Sequence, residues 1–260
     1  MSDFAQWKGE VRALFNPSAL LAARQHAVEQ FPKESCGVIA DGQYIPCFNY
    51  ALNPETDFKI APETLISLSE SGRKVEAIVH SHPNGPMYPS ENDMRGQITT
   101  DLPWIIVVVN HDTHTGETEA AEELVIWGDT LPRAPLLERP FVWGVFDCYS
   151  LVRDAFQEHF GKSLPAVPRE DAYWTKGQDL YGDWLKKLGF QRISASVAKP
   201  GDCFLIALPG SPVPSHAGIL LEGDMILHHL PNRLSRREPA GVWAHGADMW
   251  VRHPELNQDA

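Results

Sequence analysis

The stretch from Gly128 to Pro140, G-D-T-L-P-R-A-P-L-L-E-R-P, carries three prolines and little periodicity. Proline has no amide hydrogen and fixes its own φ, so neither a helix nor a central strand runs through such a segment. A chain of 260 residues broken near its midpoint in this way is expected to fold as two modest domains. The expected division is residues 1–128, a linker over 129–140 and residues 141–260.

In the first half, Leu20, Leu21, Ala27 and Val28 recur at helical spacing after Pro17-Ser18, which predicts a helix from Ser18 to about Gln30. F-P-K-E-S-C-G-V-I-A then places Glu34 at the rim of a short apolar strand, and a second apolar stretch runs from Tyr44 to Phe48. Pro62-Glu63 opens another helix that ends near Gly72, followed by the strand V-E-A-I-V-H-S-H. A helix starts at Ser90. W-I-I-V-V-V-N, residues 104–110, reads as a central strand covered on both faces, and L-V-I-W, residues 124–127, as the closing strand.

The chemistry of this half gathers between His80 and Asp93. His80 and His82 leave one face of their strand because side chains alternate with period two, so both reach one ion. Ser90 caps the next helix, and Asp93 lies in its first turn on the same face. Two imidazoles and a carboxylate are three ligands that Zn2+ accepts, with a fourth position left for water. Glu34 is the candidate base, and Ser90 can also hydrogen-bond a developing oxyanion. His111 and His114 belong to a solvated turn, and His26 and His159 are assigned no role.

In the second half, apolar positions 148, 151, 152, 155 and 156 and a stopping Gly161 predict a helix from near Asp147, and another follows over Gln178–Leu188. After K-P-G-D come C-F-L-I-A-L, H-A-G-I-L-L and M-I-L-H-H-L, three strands of an antiparallel meander. Helices followed by such a meander indicate α+β. The four cysteines, 36, 47, 148 and 203, form no C-x-x-C pair and no disulfide framework. Cys36 and Cys203 sit in apolar runs as buried small hydrophobes, and Cys47 carries no signal. Cys148 stands at a helix start, where unpaired N–H groups are expected to lower a thiol pKa. His216 can serve as its base. The third polar group is His228 or His229: a two-residue turn puts His229 on the His216 face, and a three-residue loop puts His228 there. Trp143, Tyr173 and Trp174 are core aromatics or walls of a substrate groove.

H-x-H-x7-S-x-x-D, with P-K-E-S-C-G upstream, resembles the motif of the JAMM (MPN-type) metallopeptidases over roughly residues 18–127. That resemblance implies an α/β domain holding one Zn2+ on His80, His82 and Asp93, with Glu34 as acid and base and Ser90 as oxyanion stabiliser, in a peptide or isopeptide hydrolase. D-C-Y-S-L-V, K-P-G-D and H-A-G-I-L-L-E-G-D-M-I-L-H resemble NlpC-type cysteine endopeptidases over about 139–253, although that family has Ser-Gly where Tyr149-Ser150 stands. It implies a papain-like α+β domain in which Cys148 attacks, His216 moves the proton and His228 is the third residue, with His229 the alternate. The pair of domains is similar to the tail-tip assembly proteins of lambda-like bacteriophages. This implies cleavage of peptidoglycan stem peptides, other tail-tip proteins as partners, synthesis in the host cytoplasm and a place in the virion tail. The competing reading is an assembly factor without turnover that uses two peptidase folds as docking modules. A host-side deubiquitinase-like enzyme ranks last, since it leaves the second domain unexplained. A net charge of -12 argues against a nucleic-acid partner. No run of 18 apolar residues predicts a membrane span, and the first residues lack the pattern of a signal peptide.

Overall fold

The computed structural model describes residues 2–257; Met1 of the first expected domain and residues 258–260 of the second lie outside the described residues. The chain forms two compact units, one over Ala5–Arg133 and one over Ser2–Phe4 with the residues from Ala134 onward.

The elements begin with α1 (Asp3–Arg12), α2 (Pro17–Gln30), β1 (Cys36–Ala40), β2 (Gln43–Cys47), α3 (Pro62–Glu70), β3 (Val75–Pro83), α4 (Glu91–Thr100), β4 (Trp104–His111) and β5 (Thr118–Trp127). The strands form one mixed sheet in the order β2-β1-β3-β4-β5, in which β3 and β4 are parallel and the other neighbours antiparallel. A parallel pair needs a crossover, and α4 lies in the one between β3 and β4. Ala19, Leu20, Ala23 and Ala27 of α2 bury themselves against Ile39, Ala77, Val79, Ile105, Val107 and Val109. These odd-numbered strand residues define one face of the sheet. Period two then sends Val38, Ile78, His80, His82, Ile106 and Val108 to the other. Trp104 through Val109 are all buried, as a strand covered on both faces requires.

The second unit continues with α5 (Cys148–Phe160), α6 (Leu180–Lys187), β6 (Gln191–Ile193), β7 (Cys203–Ile206), β8 (His216–Leu221), β9 (Met225–His228), β10 (Arg236–Pro239), α7 (Gly241–Gly246) and β11 (Met249–Arg252). Its sheet runs β10-β9-β8-β7-β11-β6 with every neighbour antiparallel. Thus the whole is mixed, an α/β unit followed by an α+β unit. Asp147 caps α5 through its bond from Ser150 N–H, and Gly161 ends the helix at φ 64°. Leu151, Val152, Ala155 and Phe156 are the buried stripe.

The expected linker divides. Residues 134–140 fold into the second unit, because the fully buried Arg139 bonds the Ala134 and Pro135 carbonyls and pairs with Asp154 at 2.7 Å. The Glu138 N–H also bonds Ser235 O at 2.9 Å. Proline removes periodicity without removing these anchors. Helices α1 and α7 and strands β6, β10 and β11 lie outside the sequence expectation, the three strands because runs of three or four residues carry too little alternation to register.

Candidate metal centre and thiol site

The metal centre starts from a helix cap. The Ser90 hydroxyl accepts the Asp93 N–H at 3.1 Å, while Asp93 Oδ2 accepts both the Ser90 N–H and its hydroxyl at 2.7 Å. This reciprocal box turns the Asp93 carboxylate towards β3. There Oδ1 lies 3.3 Å from His80 Nε2 and Oδ2 3.5 Å from His82 Nε2. The two Nε2 atoms are themselves 3.1 Å apart, and the ligand atoms of all three residues lie within 4.8 Å of one another.

Hydrogen positions decide what this cluster is. His82 Nδ1 sits 2.8 Å from the Pro86 carbonyl, which only accepts, so Nδ1 carries the hydrogen and a neutral ring leaves Nε2 bare. A carbonyl that fixes the far nitrogen is the usual outer partner of a metal-binding histidine. The bare His82 Nε2, His80 Nε2 and the Asp93 carboxylate then converge in a buried space, and no acceptor holds a hydrogen on His80 Nδ1, so either a cation or the hydrogen of His80 Nε2 satisfies the acceptors there. The donor set fits zinc. Burial lowers the pKa of His80, whereas at His82 burial is outweighed by Asp93, the Pro86 carbonyl and Glu34 together, which raise it. For Asp93 burial acts upward, yet the His80 and His82 rings beside it and the Ser90 hydroxyl hold the carboxyl far below its usual range. Phe58 stacks on His80 at 4.3 Å, and Trp104 and Trp127 close its other sides. Gly85 keeps His82 in place, since a Cβ there would stand 2.8 Å from His82 Cβ.

Glu34 enters through strand register. Cys36 faces His80, and Ser35 and Ser81 bond one another, which puts Glu34 opposite His82 on the ligand face. Burial pushes its carboxyl up to about 8, with His82 pulling it down and Asp93 pushing it up. A general base poised near neutrality is what proton transfer needs. His26 bonds Tyr44, and His111 bonds Thr118, both away from this cluster.

The thiol site also starts from a cap. Asp147, fully buried, takes three bonds from the Arg169 guanidinium besides those from Ser150 and Gly144 N–H. This fixes the entry of α5, and Cys148 is its first residue. The sulfur lies 3.3 Å from the Tyr181 hydroxyl and takes a bond from Ala217 N–H at the start of β8. Contrary to expectation its pKa is raised, because burial and then the Asp147 charge outweigh Tyr181, the Ala217 N–H and Arg169. Cys148 rests as a neutral thiol.

Strands β8 and β9 meet with Leu221 opposite Met225, so the loop is Glu222-Gly223-Asp224, with Gly223 and Asp224 at φ 73° and 56°. Gly218 then pairs with His228, and period two places His216 and His228 on one face. Their Nε2 and Nδ1 atoms are 3.1 Å apart. Gly218 admits this closeness, since a Cβ would meet the Phe204 ring at 2.4 Å and His228 Cβ at 3.0 Å. His229 turns away to the Arg233 carbonyl and the Phe141 ring edge. Burial, His228 and His229 bring His216 down to about 3, and its Nδ1 is buried without a hydrogen-bond partner. Trp143 and Tyr173 are core residues that also line a cavity at Cys148 with Tyr149, Arg169 and Trp184; Trp174 does not line it. Sequence reasoning missed Arg169, Tyr181 and Glu238. The last lies 2.7 Å from His228 Nε2, in R-R-E-P, where only the alternation of Arg236 and Glu238 hints at a strand.

Residues 16–123 match the prokaryotic homologs of the JAB domain, and residues 138–251 the NlpC/P60 family. Tail tip assembly protein K of Escherichia phage N15 is 34% identical over 244 residues, 90% of this chain and 94% of that protein. Its counterpart in Escherichia phage lambda is 37% identical over 179 residues, 69% of this chain and 81% of that protein. A probable TtuB-protein conjugate cleaving protease of Thermus thermophilus is 32% identical over 102 residues, 36% of this chain and 68% of that one. With a JAB-like unit before an NlpC/P60 unit, and relatives that span both, the chain belongs to the family of the phage tail tip assembly proteins K.

Proposed function

We propose that this chain is a two-site peptidase of the phage tail tip, whose thiol site hydrolyses peptidoglycan stem peptides and whose metal site hydrolyses a peptide or isopeptide bond. It works among other tail-tip proteins during tail assembly or DNA entry, after synthesis in the host cytoplasm. The observation that carries the reading is that Cys148 lines a cavity and takes the N–H of Ala217, the neighbour of His216, whose ring pairs with His228 at 3.1 Å. Cys148 gives its proton to His216 and attacks the scissile carbonyl; N–H groups at the start of α5 bond the oxyanion. His216 returns the proton to the departing amine, and water then cleaves the thioester. A neutral resting thiol implies that proton transfer accompanies attack.

In the first unit His80, His82 and Asp93 would hold one Zn2+, which when bound supplies Lewis acidity. Glu34 takes up and returns a proton at its carboxyl, and Ser90 can turn its hydroxyl from Asp93 to the oxyanion. The Thermus relative, named as cleaving protein conjugates, supports a bond of peptide or isopeptide type. A second reading, docking without turnover, is favoured by the cover that Tyr181 places over the sulfur. Mass spectrometry of muropeptides after incubation with the purified protein separates the two. Cleaved stem peptides from the native protein and none from Cys148→Ala are expected. Equal release from both ends the thiol reading, and release from neither supports docking.

A further inference from the structure

Glu238 has no part in the mechanism above, yet it terminates a chain of side chains that leads to the sulfur. We propose that Glu238 is a positioning residue that sets the tautomers of both histidines and so leaves His216 Nδ1 free to take the Cys148 proton; this rests on the thiol-hydrolase reading.

Glu238 Oε1 lies 2.7 Å from Trp243 Nε1 and Oε2 lies 3.0 Å from Arg236 Nη2, both groups that only donate. Both oxygens therefore accept. Oε1 is also 2.7 Å from His228 Nε2, so that nitrogen carries the hydrogen and His228 Nδ1 is bare. Nδ1 in turn lies 3.1 Å from His216 Nε2, which must donate to it. His216 Nδ1 is thereby left with its lone pair, and it is buried with no hydrogen-bond partner. The next residue, Ala217, gives its N–H to the Cys148 sulfur, which places the base and the thiol at the same turn of chain. When the S–H proton moves to Nδ1, the new imidazolium points its other N–H along the relay to the Glu238 charge.

Reversal shows why the acceptor matters. Without Glu238 the His228 Nε2–H is a buried donor without a partner. The ring satisfies itself by moving its hydrogen to Nδ1 and donating to His216 Nε2. His216 must then carry its hydrogen on Nδ1, and the base facing the thiol is lost. Trp243, edge-on to His228 at 4.3 Å, holds the ring plane in either state, so ring position alone does not select the tautomer.

The test is long-range proton–nitrogen correlation of the histidine rings in the full chain at neutral pH, with signals assigned through His216→Asn and His228→Asn. Hydrogen on Nε2 of both rings is expected. Glu238→Met should move hydrogen to Nδ1 and slow iodoacetamide alkylation of Cys148, read on its own peptide, by about tenfold, as loss of an outer partner of a working histidine does. Glu238→Gln, whose amide oxygen can still accept, should restore both. Hydrogen on Nδ1 of either ring in the unaltered protein overturns the proposal whether or not a variant folds, as does a Glu238→Met protein with both tautomers and alkylation unchanged. If tautomers and alkylation behave as stated and no stem peptide is released, the hydrolase reading fails and the positioning role stands.

Discussion

Each unit holds two buried histidines with ring nitrogens 3.1 Å apart, and the two pairs do opposite things. In the first, a carbonyl takes the hydrogen of His82 Nδ1, and both Nε2 atoms face each other beside the Asp93 carboxylate. Three ligand atoms meet at one point, which could hold a cation. In the second, Glu238 takes the hydrogen of His228 Nε2, so the rings line up donor to acceptor and end on a bare nitrogen. Lone pairs follow one another, and a proton can pass. The difference lies in the acceptor on the far side of His82 and of His228 rather than in the contact between the rings, and such a partner is what fixes a histidine tautomer.

The sharpest way to separate the two units is to break the scaffold under one of them. Asp147→Asn leaves the buried Arg169 without its counter-charge and should cost about 3–5 kcal/mol, read as urea unfolding of the second unit, while zinc uptake by the first stays unchanged. Burial alone would raise the Asp147 carboxyl, but Arg169 holds it below its usual range. A depressed folded pKa gives stability that is present above the unfolded value and lost as pH falls through the folded one. Native and variant midpoints should therefore converge in acid. Equal midpoints at neutral pH would contradict the role of this pair.

A smaller effect refines the other side of the comparison. Ser90→Ala removes the α4 cap and the hydroxyl that orients Asp93. It should cost about 1 kcal/mol of stability and about tenfold in zinc affinity, with Cys148 alkylation untouched. Unchanged zinc affinity would mean that Asp93 holds its position without the cap.

How much of this was legible follows from the same contrast. H-x-H on a strand and S-x-x-D at a helix start are local patterns, and local geometry brings their four residues to one place. The thiol site is non-local. Cys148 and His216 were readable because one opens a helix and the other a strand, but the choice between His228 and His229 depended on a loop whose length a sequence leaves open. Glu238 lies on a strand of four residues with no apolar alternation, and Arg169 stands in irregular chain, so nothing local marks either one. The lowered thiol pKa expected at a helix start fails at Cys148, because burial and the Asp147 charge, which nothing local in the sequence weighs, raise it. Residues 134–140 misled in another way, since Arg139 anchors a segment that proline content alone would leave free.

Calorimetric zinc titration of three full-length proteins tests the distinction between the pairs most directly. The native chain should bind one zinc, and His216→Asn with His228→Asn should bind one with the same affinity. His80→Asn with His82→Asn should bind none while still alkylating at Cys148 at the native rate. Zinc retained by that last protein, or lost with the His216 and His228 pair, would contradict the account.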